Sequence, residues 1–235
     1  MKAILLAAGF GKRLRPITDT IPKCLVPING KPLLSYWLEL LLIDRDIQCI
    51  LLNLHYLAQD VKDYIISSPW KEKVKFVHEE ELLGTGGTIL AAKDFIDNKS
   101  VMVIHADNLS RFSLIDFIKS HDNRPEFCAI TMMTFKTDQP KKCGILEVNT
   151  TGVVMEFYEK VEKPPGNLAN GAVYIFEPEV LDFLKSLKKP VIDLSTEVLP
   201  YFLGRINTFL NTEYHRDIGT YESLNRAISD FNYEI

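Results

Sequence analysis

The sequence predicts an α/β protein on a doubly wound, mixed but mostly parallel sheet, and three observations carry that expectation. Strand-like apolar runs alternate with helix-like ones through the first half of the chain. Those strands are apolar without clean alternation, as strands covered by helices on both faces are. From Phe127 onward the runs are shorter and parted by Gly, Pro and Asn, which favours mixed or antiparallel additions to the sheet. With 235 residues, 46% hydrophobic and 25% charged, one domain spanning 1–235 can bury a full core.

The elements follow in order. KAILLAA reads as the first strand, PLLSYWLELLLIDRD (32–46) as a helix, CILLNL (49–54) as a strand and LAQDVKDYIIS (57–67) as a helix. VKFVHE, GTILAAKDFID and SVMVIHAD continue the alternation as strand, helix and strand. Beyond them FCAITMMTF, GILEVN, GVVMEFYEK and GAVYIF read as shorter strands. Helices are expected over Pro178–Leu187, over Ser195–Phe202 behind Asp193, and over Tyr221–Phe231. No repeat or linker divides the chain.

Composition excludes some classes of function. A net charge of −4 with both signs interspersed does not suit bulk electrostatic binding of nucleic acid. Met1–Leu6 is too short for a signal peptide and no apolar run reaches the roughly 18 residues of a membrane span, so a cytoplasmic protein is expected. The four cysteines are scattered without a CxxC pair, which suggests neither zinc nor disulfides; Cys49 and Cys128, inside apolar runs, read as buried.

Parallel α/β sheets bind ligands at the carboxyl ends of their strands. Gly9-Phe10-Gly11-Lys12-Arg13 follows the first strand, where glycines let backbone N–H groups approach phosphate and Lys12, Arg13 and Arg15 add charge. A tight turn carrying solvated basic residues is the plain alternative, since the spacing matches neither GxGxxG nor the P-loop. Lys23, behind Pro22, adds a second cation in the same region. Asp107, in His105-Ala106-Asp107-Asn108, ends an apolar strand where a carboxylate can face Mg²⁺ and triphosphate oxygens, or else cap the next helix. Asp217, in His215-Arg216-Asp217-Ile218-Gly219-Thr220, is a second carboxylate, or the cap of the last helix. Leu83-Gly84-Thr85-Gly86-Gly87-Thr88 begins a helix whose N-terminal N–H groups can meet a base or phosphate, or marks a loose turn.

In this order these stretches resemble the sugar-1-phosphate nucleotidyltransferase family over nearly the whole chain. LAAGFGKRLRPIT with PKCLVPINGKPLL is similar to the family's signature loop, and ELLGTGGTI to its base- and sugar-contacting segment. Ala106-Asp107, Glu159-Lys160-Val161-Glu162-Lys163-Pro164, Asn170-Gly171 and Asp217-Ile218-Gly219-Thr220 continue the match. The resemblance implies a Rossmann-like, glycosyltransferase-A-like nucleotidyltransferase fold. It implies Arg13 and Lys23 as catalytic residues, Asp107 and Asp217 as ligands of Mg²⁺, and Ala7, Ala8, Gly9, Gly11, Lys12, Gly84 and Thr85 as nucleotide-binding positions. Glu159 and Lys160 would meet the sugar phosphate, with Asn170 and Gly171 on the sugar.

The expected substrates are a nucleoside triphosphate and a sugar 1-phosphate, with no nucleic acid and no membrane, in a monomer or homodimer. Three departures stand out: Lys12 where many members have Thr, Cys24 where many have Pro, and Ala106 where Gly usually precedes the aspartate. The absence of the family's Ser-Lys-Gln and Lys-Glu-Met runs at Pro22-Lys23-Cys24 turns the expectation from thymidylyl and glucose-type uridylyl transfer. GTGG with Asn53-Leu54-His55-Tyr56-Leu57 is similar to short bacterial members making GDP-heptose, GDP-mannose or UDP-N-acetylmuramic acid. Guanylyl transfer to a manno-type sugar 1-phosphate is favoured; uridylyl transfer, a non-catalytic nucleotide-sugar sensor and a cytidylyltransferase acting on a non-sugar phosphate are the alternatives. The fused acyltransferase domain that some relatives carry is not expected here.

Overall fold

The apolar run KAILL forms the strand Lys2–Leu6, whose Ala3, Ile4 and Leu5 are wholly buried. A computed structural model describes residues 1–43 and 46–231. The chain divides into two compact units. The first comprises Met1–Leu82, His105–Phe112 and Glu213–Ile235, and the second Leu83–Ile104 and Ser113–Thr212.

In the first unit the strands Lys2–Leu6, Cys49–Leu54 and Val74–His78 lie side by side and parallel, with Leu6 opposite Asn53 and Leu54 opposite His78. Helices Leu33–Leu42 and Ala58–Ile66 make the crossovers that parallel strands require. Leu33, Leu34, Trp37, Leu38 and Leu41 face inward at helical spacing, and burying such side chains contributes about 1.5–3 kcal/mol each. The expected helix over 32–46 is thus observed as Leu33–Leu42; residues 44 and 45 of that run lie outside the described residues.

A separate apolar cluster anchors the stretch after the first strand. Leu14, Val26, Ile28, Leu33, Tyr36, Leu109, Ile218, Leu224, Ala227 and Phe231 pack together. They join the basic loop to a two-stranded antiparallel ribbon, Asn108–Arg111 with Tyr214–Asp217, and to the last helix, Tyr221–Asp230. A small hairpin, Pro27–Ile28 with Lys31–Pro32, turns at Asn29 and Gly30, both at positive φ. Asn-Gly is the pair such a turn favours.

The second unit carries the antiparallel additions expected after Phe127. Its hub is Leu168–Phe176, antiparallel to Val101–His105, Ile130–Lys136 and Gly144–Val148; Val154–Glu159 pairs antiparallel with Gly144–Val148, and Ile206–Leu210 runs parallel to Ile130–Lys136. The α/β class and the mixed sheet stand as the sequence predicts.

Some elements differ. The helix expected over Ser195–Phe202 is a π-type turn, Leu194–Val198, followed by a 3₁₀ turn, Leu199–Phe202. Pro200 lacks the N–H that would continue an α-helix and crowds the carbonyl four residues before it. Asp193 does cap this segment, accepting from the Thr196 N–H at 2.9 Å. The 87–97 run gives two short helices, Gly84–Ala91 and Lys93–Ile96. Helix Leu114–Asp122, capped by Ser113, and the strands of the ribbon escaped the sequence reading. Cys128 is buried as expected, but Cys49 is only half-buried and Cys24 takes the other buried position.

A polar clasp closes part of the second unit. His121, 2% exposed, meets Thr131 Oγ1 through Nδ1 at 2.9 Å and Glu177 Oε1 through Nε2 at 2.8 Å. Ser100 Oγ donates to the same carboxylate oxygen at 2.7 Å, and Arg124 lies 3.1 Å from it. Burial pushes the His121 pKa below its ordinary 6.5, outweighing the upward pull of Glu177. Burial would raise the Glu177 carboxyl, but hydrogen bonds from Ser100 and His121 and the Arg124 charge hold it below its ordinary 4.5. Both signs agree. A histidine kept neutral in the fold protonates more readily when unfolded, so its contribution is full above pH 6.5 and declines below it; the Glu177 contribution is lost on further acidification. We expect the melting temperature to fall between about pH 7 and pH 5, and His121→Gln to flatten that slope while lowering stability at neutral pH. Equal slopes for the two proteins in thermal unfolding would refute the assignment.

Candidate functional site

The candidate site in the first unit is set by a backbone turn. Gly11 adopts φ 63°, a left-handed conformation that costs an L-residue about 1–2 kcal/mol. A Cβ there would stand 2.8 Å from Thr18 Cγ2 and 3.2 Å from Lys23 Cβ. Thr18, wholly buried, donates from Oγ1 to the Gly11 carbonyl at 2.8 Å, and the Leu14 N–H donates to that same carbonyl at 2.8 Å. Leu14 then drops into the apolar cluster. This close packing of Gly11, Thr18 and Lys23 brings the basic stretch and the Pro22-Lys23 segment together.

Lys23 opens a 3₁₀ turn, Lys23–Leu25, and its side chain is 9% exposed. A buried ammonium needs compensating charge. Its Nζ lies 2.6 Å from Asp107 Oδ2 and 3.6 Å from Asp217 Oδ1. The two aspartates are brought together by the ribbon: Asp217 pairs with Asn108, and the Ile218 N–H donates to the Asp107 carbonyl at 2.9 Å. Arg13 approaches the outer side of Asp217 at 3.9 Å. Gly219 leaves the room for this, since a Cβ there would sit 2.7 Å from Asp217 Oδ2 and 2.8 Å from an Arg13 guanidinium nitrogen.

Neither aspartate is a helix cap. Thr220 caps the last helix, accepting from the Ser223 N–H at 3.2 Å, and Ser113 caps the helix after Asp107. The two carboxyls titrate apart. Burial would raise Asp107, but the charges of Lys23 and His105 and the Lys23 hydrogen bond hold it below its ordinary value. Burial and the Asp107 charge raise Asp217 against the opposing charges of Lys23 and Arg13. Two carboxylates converging on one cation are a donor set suited to a small divalent ion completed by phosphate and water.

The other expected nucleotide positions are less uniform. Ala8 is buried, and nothing lies within 4 Å of where a Gly9 side chain would begin, so the backbone there is open to close approach. Lys12 stacks over the Phe10 ring at 5.3 Å, and Arg15 pairs with Asp19 at 3.1 Å. The Ala7 N–H is taken by Asn53 Oδ1 at 2.6 Å.

In the second unit, Gly84 has φ 71° and helix Gly84–Ala91 begins there. Its N-terminus is not open as expected: the Gly86 and Gly87 N–H groups both donate to the Ile192 carbonyl, at 2.8 and 3.3 Å. The Thr85 hydroxyl accepts from the Leu194 N–H at 2.8 Å. Lys160 Nζ pairs with Glu159 Oε1 at 2.9 Å, and Lys160 has φ 50°. Glu159 lies opposite Gly144, where a Cβ would stand 2.7 Å from Glu159 Oε2. Asn170 and Gly171 sit at a bulge in Leu168–Phe176. There Asn170 accepts from the Ala172 N–H at 2.9 Å and donates to the Tyr174 hydroxyl at 2.7 Å.

Thr18, Glu79, Gly144 and Tyr174 escaped the sequence reading. Glu79 alone carried a usable signal, an acidic residue following an apolar strand at the ligand-binding edge of a parallel sheet.

The gathering of cations and carboxylates around a glycine turn at the carboxyl ends of parallel strands is where an α/β sheet of this kind binds ligands. The family described as Nucleotidyl transferase matches residues 2–233, and the chain belongs to it. The bifunctional protein GlmU of Methanocaldococcus jannaschii is 33% identical over 188 residues, covering 80% of this chain and 43% of that protein. Mannose-1-phosphate guanylyltransferase of Mycobacterium tuberculosis is 30% identical over 234 residues, covering 97% and 64%. The crystal structure of HddC from Yersinia pseudotuberculosis superposes with a TM-score of 0.81 at 29% identity, covering 98% of this chain and 99% of that one; the same protein is also similar in complex with GMP-PN. The chain spans 43% and 64% of the length of these two curated relatives.

We expect Gly11→Ala to lower stability by about 1–2 kcal/mol through its positive φ alone, roughly 2–8 °C in melting temperature. The added methyl should also push Thr18 and Lys23 apart. An unchanged melting temperature would show that the turn relaxes without strain.

Proposed function

We propose that the protein transfers a nucleoside monophosphate from a nucleoside triphosphate to a sugar 1-phosphate, releasing pyrophosphate and forming a nucleotide sugar. The carrying observation is the buried Lys23 ammonium held by Asp107 and Asp217 beside the Gly11 turn. In this reaction an oxygen of the sugar phosphate attacks the α-phosphorus in line. The new P–O bond forms as the bond to the bridging oxygen breaks, and pyrophosphate leaves with the electron pair. Such a step asks a protein for positioning and for neutralisation of charge. No covalent intermediate is needed.

The open backbone at Gly9 and the turn at Gly11 suit close approach of phosphate. Arg13, whose guanidinium is largely exposed, and Lys23 supply positive charge to the triphosphate and to its transition state. Asp107 and Asp217 would hold Mg²⁺, which when bound draws the phosphate oxygens together and offsets their charge. Among the described residues no group of three or more histidine, cysteine or carboxylate ligands gathers as a dedicated metal cage would. The sugar-phosphate roles of Glu159, Lys160, Asn170 and Gly171 carry over from the resemblance.

For the base and sugar we infer guanylyl transfer to a manno-configured sugar 1-phosphate. The relative named mannose-1-phosphate guanylyltransferase aligns over 97% of this chain, and HddC, similar at 29% identity, is known in complex with GMP-PN. No helix among the described residues is long and apolar enough to cross a membrane. The proposed substrates are cytoplasmic metabolites, and we place the protein in that compartment as a single catalytic domain.

Pyrophosphate release with Mg²⁺ and each of GTP, UTP, dTTP, CTP and ATP, against mannose, heptose, glucose and N-acetylmuramic acid 1-phosphates, tests this reading. We expect GTP with a manno-type acceptor to give the largest kcat/KM. Lys23→Ala and Asp107→Ala should each lower it by about 10²–10³-fold, and chelation of the metal should abolish it. Preference for UTP with N-acetylmuramic acid 1-phosphate would overturn the choice of base and keep the reaction. Nucleotide-sugar binding without turnover of any pair would overturn the reaction itself in favour of a sensor.

A further inference from the structure

Strand Cys49–Leu54 is apolar except at Asn53, which is 3% exposed and lies in register with Leu6. Its Oδ1 accepts the Ala7 N–H at 2.6 Å, and its Nδ2 donates to Glu79 Oε1 at 2.9 Å. Glu79 is 5% exposed and follows the neighbouring strand, Val74–His78. It is seated by its own backbone: its N–H donates to the Leu54 carbonyl at 2.9 Å, and its carbonyl meets His55 Nδ1 at 2.8 Å. Three adjacent parallel strands thus meet, at their carboxyl ends, in one line of hydrogen bonds from Ala7 through Asn53 to Glu79.

The direction of that line is dictated by chemistry. The Asn53 amide turns its NH₂ group to Glu79 Oε1 at 2.9 Å. Its carbonyl is then left for Ala7, whose N–H can only donate. Ala7 is the first residue of the loop that continues through Ala8, Gly9, Gly11 and Lys12 to Arg13. Gly9 is conformationally permissive, and nothing lies within 4 Å of where its Cβ would stand, so that residue itself does little to fix the path of the loop.

We infer that Asn53 and Glu79 are a positioning pair for nucleotide binding: Glu79 fixes the orientation of the Asn53 amide, and Asn53 sets the path on which the nucleotide loop leaves the sheet. Neither residue touches the reacting atoms. Their effect falls on affinity for the triphosphate, and in this form the inference rests on the nucleotidyl-transfer reading.

A polarity exchange tests it. Asn53→Asp sets a carboxylate against Glu79 and should raise KM for the nucleoside triphosphate about tenfold or more, the consequence of spoiling a buried hydrogen-bonded pair. The change in kcat should stay within about threefold, because Arg13, Lys23, Asp107 and Asp217 are untouched. Glu79→Gln lets either amide turn and should raise KM less. The double variant Asn53→Asp with Glu79→Gln restores a donor facing an acceptor: the new amide at position 79 donates, and the new carboxylate at position 53 accepts from it and from the Ala7 N–H. It should return KM to within about threefold of wild type. Circular dichroism and melting temperatures establish that each variant is folded, and a merely structural role would lower stability without separating KM from kcat. A double variant as poor in KM as Asn53→Asp alone, or an Asn53→Asp protein with unchanged KM, overturns the inference. Should the wild type turn over none of the substrate pairs, the reaction reading fails by itself. Amide hydrogen exchange over residues 7–13 then decides the positioning role, faster in Asn53→Asp and restored in the double variant if it is correct, and unrestored if it is not.

Discussion

A single buried ammonium organises the first unit. Burying an ammonium at 9% exposure calls for opposite charge beside it, and the partners of Lys23 come from distant parts of the chain. Asp107 follows the strand Val101–His105, and Asp217 ends the strand that begins at Tyr214. Bringing both to one nitrogen requires the ribbon Asn108–Arg111 with Tyr214–Asp217 to be in register. It also requires the Gly11 turn to place Lys23 beneath that ribbon's end. The like charges of the two carboxylates oppose the arrangement, and the raised Asp217 pKa reflects that opposition together with burial.

The apolar cluster beneath the site supplies what the charges cannot. Leu14 comes from the basic loop, Val26 from just after the Lys23–Leu25 turn, Leu109 from the ribbon, Ile218 from just after it, and Leu224, Ala227 and Phe231 from the last helix and the residue after it. Each of the first four lies one or a few residues from a polar group of the site: Leu14 beside Arg13, Val26 near Lys23, Leu109 near Asp107, Ile218 beside Asp217. Burial of the apolar member therefore fixes the position of its polar neighbour, at a gain of roughly 1.5–3 kcal/mol per large side chain. Tyr36 adds a buried hydrogen bond to the Ile28 carbonyl at 2.7 Å, and Trp37 one to the Asn108 carbonyl at 2.7 Å. Helix Leu33–Leu42 thereby holds both the hairpin and the ribbon by their backbones.

The second unit shows how glycine and positive φ shape polar positions within a sheet. Gly144 leaves space for the Glu159 carboxylate, and the bulge after Asn170 puts Ala172 at φ 53°. Strain of that kind persists where surrounding structure over-determines it, and it is common at binding sites. Here the Asn170 amide spans the bulge from the Ala172 N–H to the buried Tyr174 hydroxyl.

Much of this was legible in the residues themselves. The strands Lys2–Leu6 and Cys49–Leu54, the helix opening at Leu33, the change to antiparallel pairing after Phe127 and the glycine turn before Arg13 all follow from local sterics and hydrophobic spacing, which act within a few residues. The break at Pro200 is local as well, since a proline removes an N–H and crowds the preceding turn. The partnership of Lys23 with Asp107 and Asp217, the rejection of both aspartates as helix caps and the pairing of Asn53 with Glu79 were decided only by the tertiary structure. They depend on strand register and on burial shared between segments far apart in the chain. A one-residue slip would turn every side chain of a strand to the opposite face, so register is settled by the burial of whole strands against their neighbours and not by the residues around any one position.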